Sequence, residues 1–154
     1  MINTKLEVTD LRALHRNLVD AGQKRLWLDL RKQFRTAMKP LTSEIQESAR
    51  STLPRRGGLN EWVAASKITA SIYTGQRRAG VDLKVSKKGS KRKHDIADLD
   101  KGLIRHPVHG NRKKWAYQSV PRGFASTPVR ASRPRVAKQL VAAMQSTARS
   151  AGFK

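Results

Sequence analysis

Seven apolar residues, Leu26, Leu30, Phe34, Met38, Leu41, Ile45 and Ala49, recur at steps of 4, 4, 4, 3, 4 and 4. An α-helix repeats every 3.6 residues, so this spacing puts all seven on one side of a helix running from about Lys24 to Ser51. A stripe sustained over six turns needs apolar surface to cover it, and the fold must be organised around it. Pro40 lies inside the segment. Proline removes one backbone hydrogen bond and clashes with the preceding turn, which predicts a kink or break near Lys39, with Ser43 and Gln46 capping a second segment. A shorter amphipathic helix comes first. Asp10 is its candidate N-cap, Leu11, Leu14, Leu18 and Val19 share a face, and Gly22 ends it. Trp27 lies one step off the long stripe, where it covers the first helix or meets a neighbouring subunit.

The helical pattern stops at "LPRRGGL", Leu53 to Leu59. Pro54 disfavours helix at Leu53. At least one of Gly57 and Gly58 is expected at positive φ. A helical turn at about Asn60–Ala65 leads into two alternating stretches. Ile68, Ala70 and Ile72 alternate with Lys67, Thr69, Ser71 and Tyr73; Val81, Leu83 and Val85 alternate with Asp82, Lys84 and Ser86. Period two predicts two strands, each with one buried face, joined as a hairpin through "TGQRRAG". A basic loop at 86–94 follows. Ile96, Leu99, Leu103 and Ile104 fit neither period well and read as a strand ending before Pro107. Thr127 and Pro128 read as an N-cap and first helical residue, opening a last helix on which Val129, Val136, Leu140, Met144 and Thr147 lie near one face. Pro134 is expected to kink or restart it. The order of helices, strands and helix predicts one α+β domain over 1–154, with N-terminal helices and a C-terminal helix on one face of a small antiparallel sheet.

Charge constrains the partners. The 154 residues include 33 Lys and Arg against 11 Asp and Glu, a formal net charge of +22. Such a chain seeks polyanions or acidic protein surfaces. The imbalance is local: Asp100 is the last acid, and residues 101–154 hold twelve Lys or Arg and no carboxylate. There is no cysteine, which excludes disulfides and thiolate metal sites. No stretch approaches the ~18 apolar residues of a membrane span. The start, "MINTKLEVTD", lacks the pattern of a signal peptide, so a soluble protein made in the cytoplasm is expected.

Reactive chemistry finds little footing. His106 and His109 flank Pro107, with His15, His94, Asp95, Asp98 and Asp100 as the remaining candidate ligands; this falls short of a zinc ligand set. No serine sits in a Gly-x-Ser-x-Gly elbow, and "RRGG" and "TGQRRAG" lack the Walker spacing. No catalytic, cofactor-binding or metal residue is expected. The basic loop is the stronger feature: Lys87, Lys88, Lys91, Arg92 and Lys93 crowd around Gly89-Ser90, where an anionic partner relieves like-charge repulsion. Arg112, Lys113 and Lys114 form a second basic run. Trp27, Trp62 and Trp115 suit a core or an interface.

Two stretches carry a resemblance. "STLPRRGGLNEWVAASKI" and "LIRHPVHGNRKKWAYQSVPRGFASTPV" resemble signatures of the head–tail connection proteins of long-tailed bacteriophages, the neck, tail-completion or minor tail proteins. The first is a helix, a Pro with a basic pair, glycine, leucine and a strand. The second is a strand, His-Pro-x-x-Gly-Asn-Arg, Trp, Gln, Val-x-x-Gly-Phe and a final helix. The resemblance spans about Leu11 to Ala148; the basic run 87–94 is outside it. It implies a non-enzymatic structural virion protein, made in the host cytoplasm and assembled at the head–tail junction. There it would join a sixfold ring, or alternatively a twelvefold one, between connector or portal-side proteins and the tail terminator or tail tube, around the DNA channel. Lys87, Lys88, Lys91, Arg92, Lys93, Arg112, Lys113 and Lys114 would meet a neighbouring protein or the DNA. Pro54, Gly57, Gly58, His106, Pro107, Gly110, Trp115, Gly123 and Phe124 would be turn and anchor residues. Pro107 and Gly110 would fix the loop, and Trp115 and Phe124 would pin it. The rival reading is a small basic protein that binds nucleic acid without sequence preference; a nuclease-like phosphodiesterase is third.

Overall fold

The computed structural model describes residues 2–7, 11–74, 79–86 and 95–152. In chain order the elements are strand β1 (Ile2–Glu7), helices α1 (Leu11–Asp20) and α2 (Lys24–Thr52), a 3-10 turn (Arg56–Gly58), helix α3 (Leu59–Ala64), strands β2 (Lys67–Thr74) and β3 (Ala79–Ser86), helix α4 (Asp95–Asp100), strands β4 (Leu103–Val108) and β5 (Asn111–Ser119), and helix α5 (Ser126–Ser150). The fold is α+β. Two sheets stand where one was expected: three strands in the order β1-β3-β2, and a separate pair, β4-β5. Strand β1 was not foreseen, although Ile2, Thr4 and Leu6 alternate with Asn3, Lys5 and Glu7. Among the described residues no helix is long and apolar enough to cross a membrane.

The chain forms two compact units. One is built from Leu41–Thr69 and Lys84–Arg130 with the first residues of the chain; the other from Thr4–Pro40, Ala70–Leu83 and Ala131–Lys154. In the second unit Leu11, Leu14 and Leu18 of α1 are buried with Leu30, Phe34 and Met38 of α2, as the periodicity predicts. Val19 is not on that face; it is half exposed. Trp27 packs its ring against His15, centroids 4.4 Å apart, so it covers α1. Gly22 ends α1 at φ +71°, and the Gln23 amide donates to the Leu18 carbonyl at 2.8 Å. The proposed cap Asp10 and the loop residues 87–94 lie outside the described residues. Val81 and Leu83 are buried in β3. Strands β2 and β3 are neighbours with only four residues between them. That is too short for a parallel crossover, so they form an antiparallel hairpin.

In the first unit α2 continues with Leu41, Ile45 and Ala49 buried, Leu53 is buried just after its end, and β3 contributes Val85. Neither proline breaks its helix: α2 runs through Pro40 and α5 through Pro134. Ser43 is therefore a helical residue and not a cap. Each proline forfeits a bond to the carbonyl four residues earlier, on Thr36 and on Arg130. Both prolines and both of those residues are exposed. The remaining cost, about 3 kcal/mol per proline, is offset by the buried residues on either side at about 1.5–3 kcal/mol each. On α5 the residues Val129, Val136, Leu140, Met144 and Thr147 are all buried, joined by Ser132 and Ala143.

The segment 95–104 is a correction. Asp95–Asp100 is helical, and Ile96 and Leu99 are buried three residues apart on one side of its turns. A segment this short carries too few residues to separate a 3.6 period from a 2.0 period. The strand that follows does not stop before Pro107; it includes it.

The "LPRRGGL" turn follows its prediction twice over. Gly57 and Gly58 both have positive φ, +78° and +70°. The Gly58 amide donates to the Arg55 carbonyl at 3.0 Å, and Asn60 Nδ2 reaches back to the Arg50 carbonyl at 3.5 Å. A Cβ at either glycine would meet nothing within 4 Å. Only the backbone conformation resists substitution. Gly57→Val and Gly58→Val should each lower unfolding free energy by about 1–2 kcal/mol in denaturant titrations, and asparagine at the same positions by less. Full stability in both valine variants would contradict the assigned backbone.

Candidate functional site

Strands β4 and β5 form an antiparallel hairpin pairing Leu103 with Ser119, Arg105 with Tyr117, His106 with Ala116 and Pro107 with Trp115. The turn is His109-Gly110, at φ +47° and +75°. Positive φ at both central residues is what a two-residue type I′ connection requires, and its twist matches that of the flanking strands. The register shifts between Pro107 and Val108. This corrects the expected turn: His106 and Pro107 are strand residues, and the tip is made by His109 with Gly110. Histidine tolerates the left-handed region better than most residues, a weak signal that only the pairing reveals. His106 is exposed, its Nδ1 3.3 Å from the Pro107 carbonyl oxygen. Among the described residues no group of three or more His, Cys, Asp or Glu is arranged to hold a metal ion.

Paired side chains project to the same face of an antiparallel ribbon. Arg105 therefore shares a face with Tyr117, and Pro107 with Trp115, while Lys113 and Lys114 fall in the stretch of β5 where the register shifts, since Trp115 pairs with Pro107 and Asn111 with Val108. The Arg105 guanidinium carbon lies 4.8 Å from the centroid of the Trp115 ring and 5.9 Å from that of Tyr117. Such contacts are worth about 0.5–1 kcal/mol at exposed sites. His106 and Ala116 lie on the other face. Lys113 and Lys114 are exposed, and Tyr117 is 66% exposed. The backbone of Arg112 belongs to β5. Near the tip, the Asn111 side-chain oxygen accepts the Lys113 amide at 2.9 Å. Among the described hairpin residues none is buried. Isolated two-stranded hairpins are marginal in water, so the order of this one must come from its base.

The base is organised by Asp100. Its carboxylate Oδ1 accepts the backbone amides of Ala125 at 2.8 Å and Ser126 at 3.2 Å, and its carbonyl accepts that of Gly123 at 2.9 Å. The first amides of a helix have no intrahelical partner, and a carboxylate there also meets the positive end of the helix dipole. Asp100 thus caps α5 from 25 residues away. This replaces the expected Thr127 cap: α5 begins at Ser126, and Pro128 is its third residue. Proline is tolerated there because its missing N–H falls in the first turn. The Gly102 carbonyl accepts the Val120 amide at 2.9 Å, closing the open end of the hairpin. Gly123 has φ +83°, and a Cβ on it would fall 2.5 Å from Thr127 Oγ1. Phe124 is fully buried and anchors the junction, as expected.

The other foreseen residues lie elsewhere. Pro54 is exposed beyond the end of α2, in the same segment as Gly57 and Gly58. Nearby, Arg50 pairs with Glu47 at 3.5 Å and with Glu61 at 3.4 Å. Lys87, Lys88, Lys91, Arg92 and Lys93 lie outside the described residues. Arg105 and Tyr117 were not singled out from the sequence, and His109 and Asp100 were weighed there only as candidate metal ligands. The strand register identifies the first two. A local signal exists for Asp100, the last acid before a basic third, but its partners are too distant in sequence to be read.

Asp100→Ala removes both side-chain bonds to the first turn of α5 and should lower unfolding free energy by about 1–3 kcal/mol. Asp100→Asn retains an acceptor oxygen and should recover part of the loss. Equal, undiminished stability for both in chemical denaturation would remove the cap from this account.

Comparison with models of known protein families, with curated proteins and with solved structures found no match to this chain.

Proposed function

We propose that this chain is a structural ring subunit of the head–tail junction of a long-tailed bacteriophage, joining connector to tail tube around the DNA channel. One observation carries the reading. The stretch that resembles the second family signature folds as a single linked device: strand β4, a His109-Gly110 turn, strand β5, the Val120–Phe124 anchor and helix α5. The parts that match the signature act as geometry. Glycines take positive φ, Phe124 is buried, and the basic residues stand exposed on a ribbon. Such a projection suits contact with a neighbour.

Charge supports a head-to-tail arrangement. Residues 101–154 lack carboxylates, so their positive charges need partners outside that segment. Of the acids in the N-terminal half, Glu47 and Glu61 are engaged by Arg50 of the same chain, while Asp20 and Asp29 are exposed. A heterologous interface between basic and acidic patches closes into a ring when its rotation is right, and such pairs set specificity and association rate more than affinity. The virion is the expected location, and six copies the expected number, with twelve the alternative.

Electron microscopy of purified virions or tails should place this chain as a closed ring on the head–tail axis. A single copy, or an isolated twofold dimer away from that axis, would overturn the proposal.

A further inference from the structure

We infer that the β4–β5 hairpin is a duplex-DNA arm, entering the major groove and contacting phosphates on both sides. The inference deepens the ring reading by naming what the hairpin meets; it rests on that reading only for the source of the DNA.

Shape comes first. The major groove, about 12 Å wide, admits a two-stranded β-ribbon. The six residues of β4 extend about 20 Å at ~3.3 Å per residue, enough to cross it. The ribbon is its own two-stranded sheet, and its described residues are partly or fully exposed, so no third strand widens it. Its base is fixed through Asp100, Gly102 and Phe124, which leaves the His109-Gly110 end to project.

Charge then selects the partner. The ribbon carries exposed positive charge on both strands, Arg105 on β4 and Lys113 with Lys114 on β5, and no acid. An acidic protein surface laid along one strand would leave the other unneutralised. A groove presents phosphates to both. The guanidinium carbon of Arg105 lies 4.8 Å from the Trp115 ring centroid and 5.9 Å from that of Tyr117, and aromatic contacts of this kind do not use the N–H donors that phosphate oxygens accept. Contacts of this kind position the protein and carry no sequence information.

The test uses the full chain and a fluorescent mixed-sequence duplex about 20 bp long, with a single strand of equal length beside it. Affinity is measured from about 50 to 200 mM salt. The double variant Lys113→Glu/Lys114→Glu is compared with Arg133→Glu/Lys138→Glu, which makes the same charge change at exposed positions of α5. Circular dichroism melting verifies that each variant is folded, and Lys113→Ala/Lys114→Ala serves if the reversal is not tolerated. The hairpin variant should weaken duplex binding at least about tenfold more than the α5 variant, and its salt slope should fall by about 2 relative to that control. Equal losses in the two variants would mean that net charge alone attracts DNA and would overturn the inference. Tighter binding to the single strand would overturn it in favour of base stacking on the aromatics. Unchanged duplex binding combined with failed neck assembly would overturn it in favour of an acidic protein partner. Failure in any of these ways leaves the ring position, decided by imaging, untouched; absence of a ring in virions leaves the hairpin's DNA affinity to stand on its own measurement.

Discussion

Asp100 ties the base of the β4–β5 hairpin to the start of α5. Three backbone amides, those of Gly123, Ala125 and Ser126, converge on one residue through its carbonyl and its side chain. Each bond serves a group that helix geometry leaves without a partner or that a turn exposes. The consequence reaches beyond α5. Because Asp100 closes α4 and precedes β4, and because Gly123 follows β5, the same residue sets where both ends of the hairpin emerge. The ribbon needs no core of its own while its base is held in this way.

The protein's charge is distributed with the same economy. Eleven acids face 33 basic residues. Three of those acids do structural tasks within the chain: Glu47 and Glu61 flank Arg50, and Asp100 serves backbone amides. Exposed pairs such as the two on Arg50 contribute little to stability, about 0–1 kcal/mol. What they change is the surface, where they remove acids that could otherwise answer the positive charge. The basic third is left to be neutralised by something other than its own segment.

A ribbon exposed on both faces sits poorly with stability alone. Its side chains bury little, and its cation–aromatic contacts are worth little in water. The same features suit recognition. Arg105 is restrained by two rings before any partner arrives, which reduces the entropy lost on binding.

The sequence alone determined the elements whose signal is periodic and local. The stripe from Leu30 to Ala49, the alternation of Val81, Leu83 and Val85, and the glycine pair after α2 were all legible, because each depends on residues within a few turns of one another. Burial and backbone geometry then agree with the local pattern. Tertiary structure decided the rest. Pro40 and Pro134 stay helical because burial on both sides outweighs a local penalty. Residues 95–100 became a helix and Pro107 a strand residue because packing and strand pairing overrode weak local signals. The cap of α5, the face shared by Arg105 with Trp115 and Tyr117, and the tip at His109-Gly110 all depend on contacts or register between separate segments. Such relations exist only once the chain has folded, since hydrogen bonds and ring contacts are fixed by proximity in space and not by order along the chain.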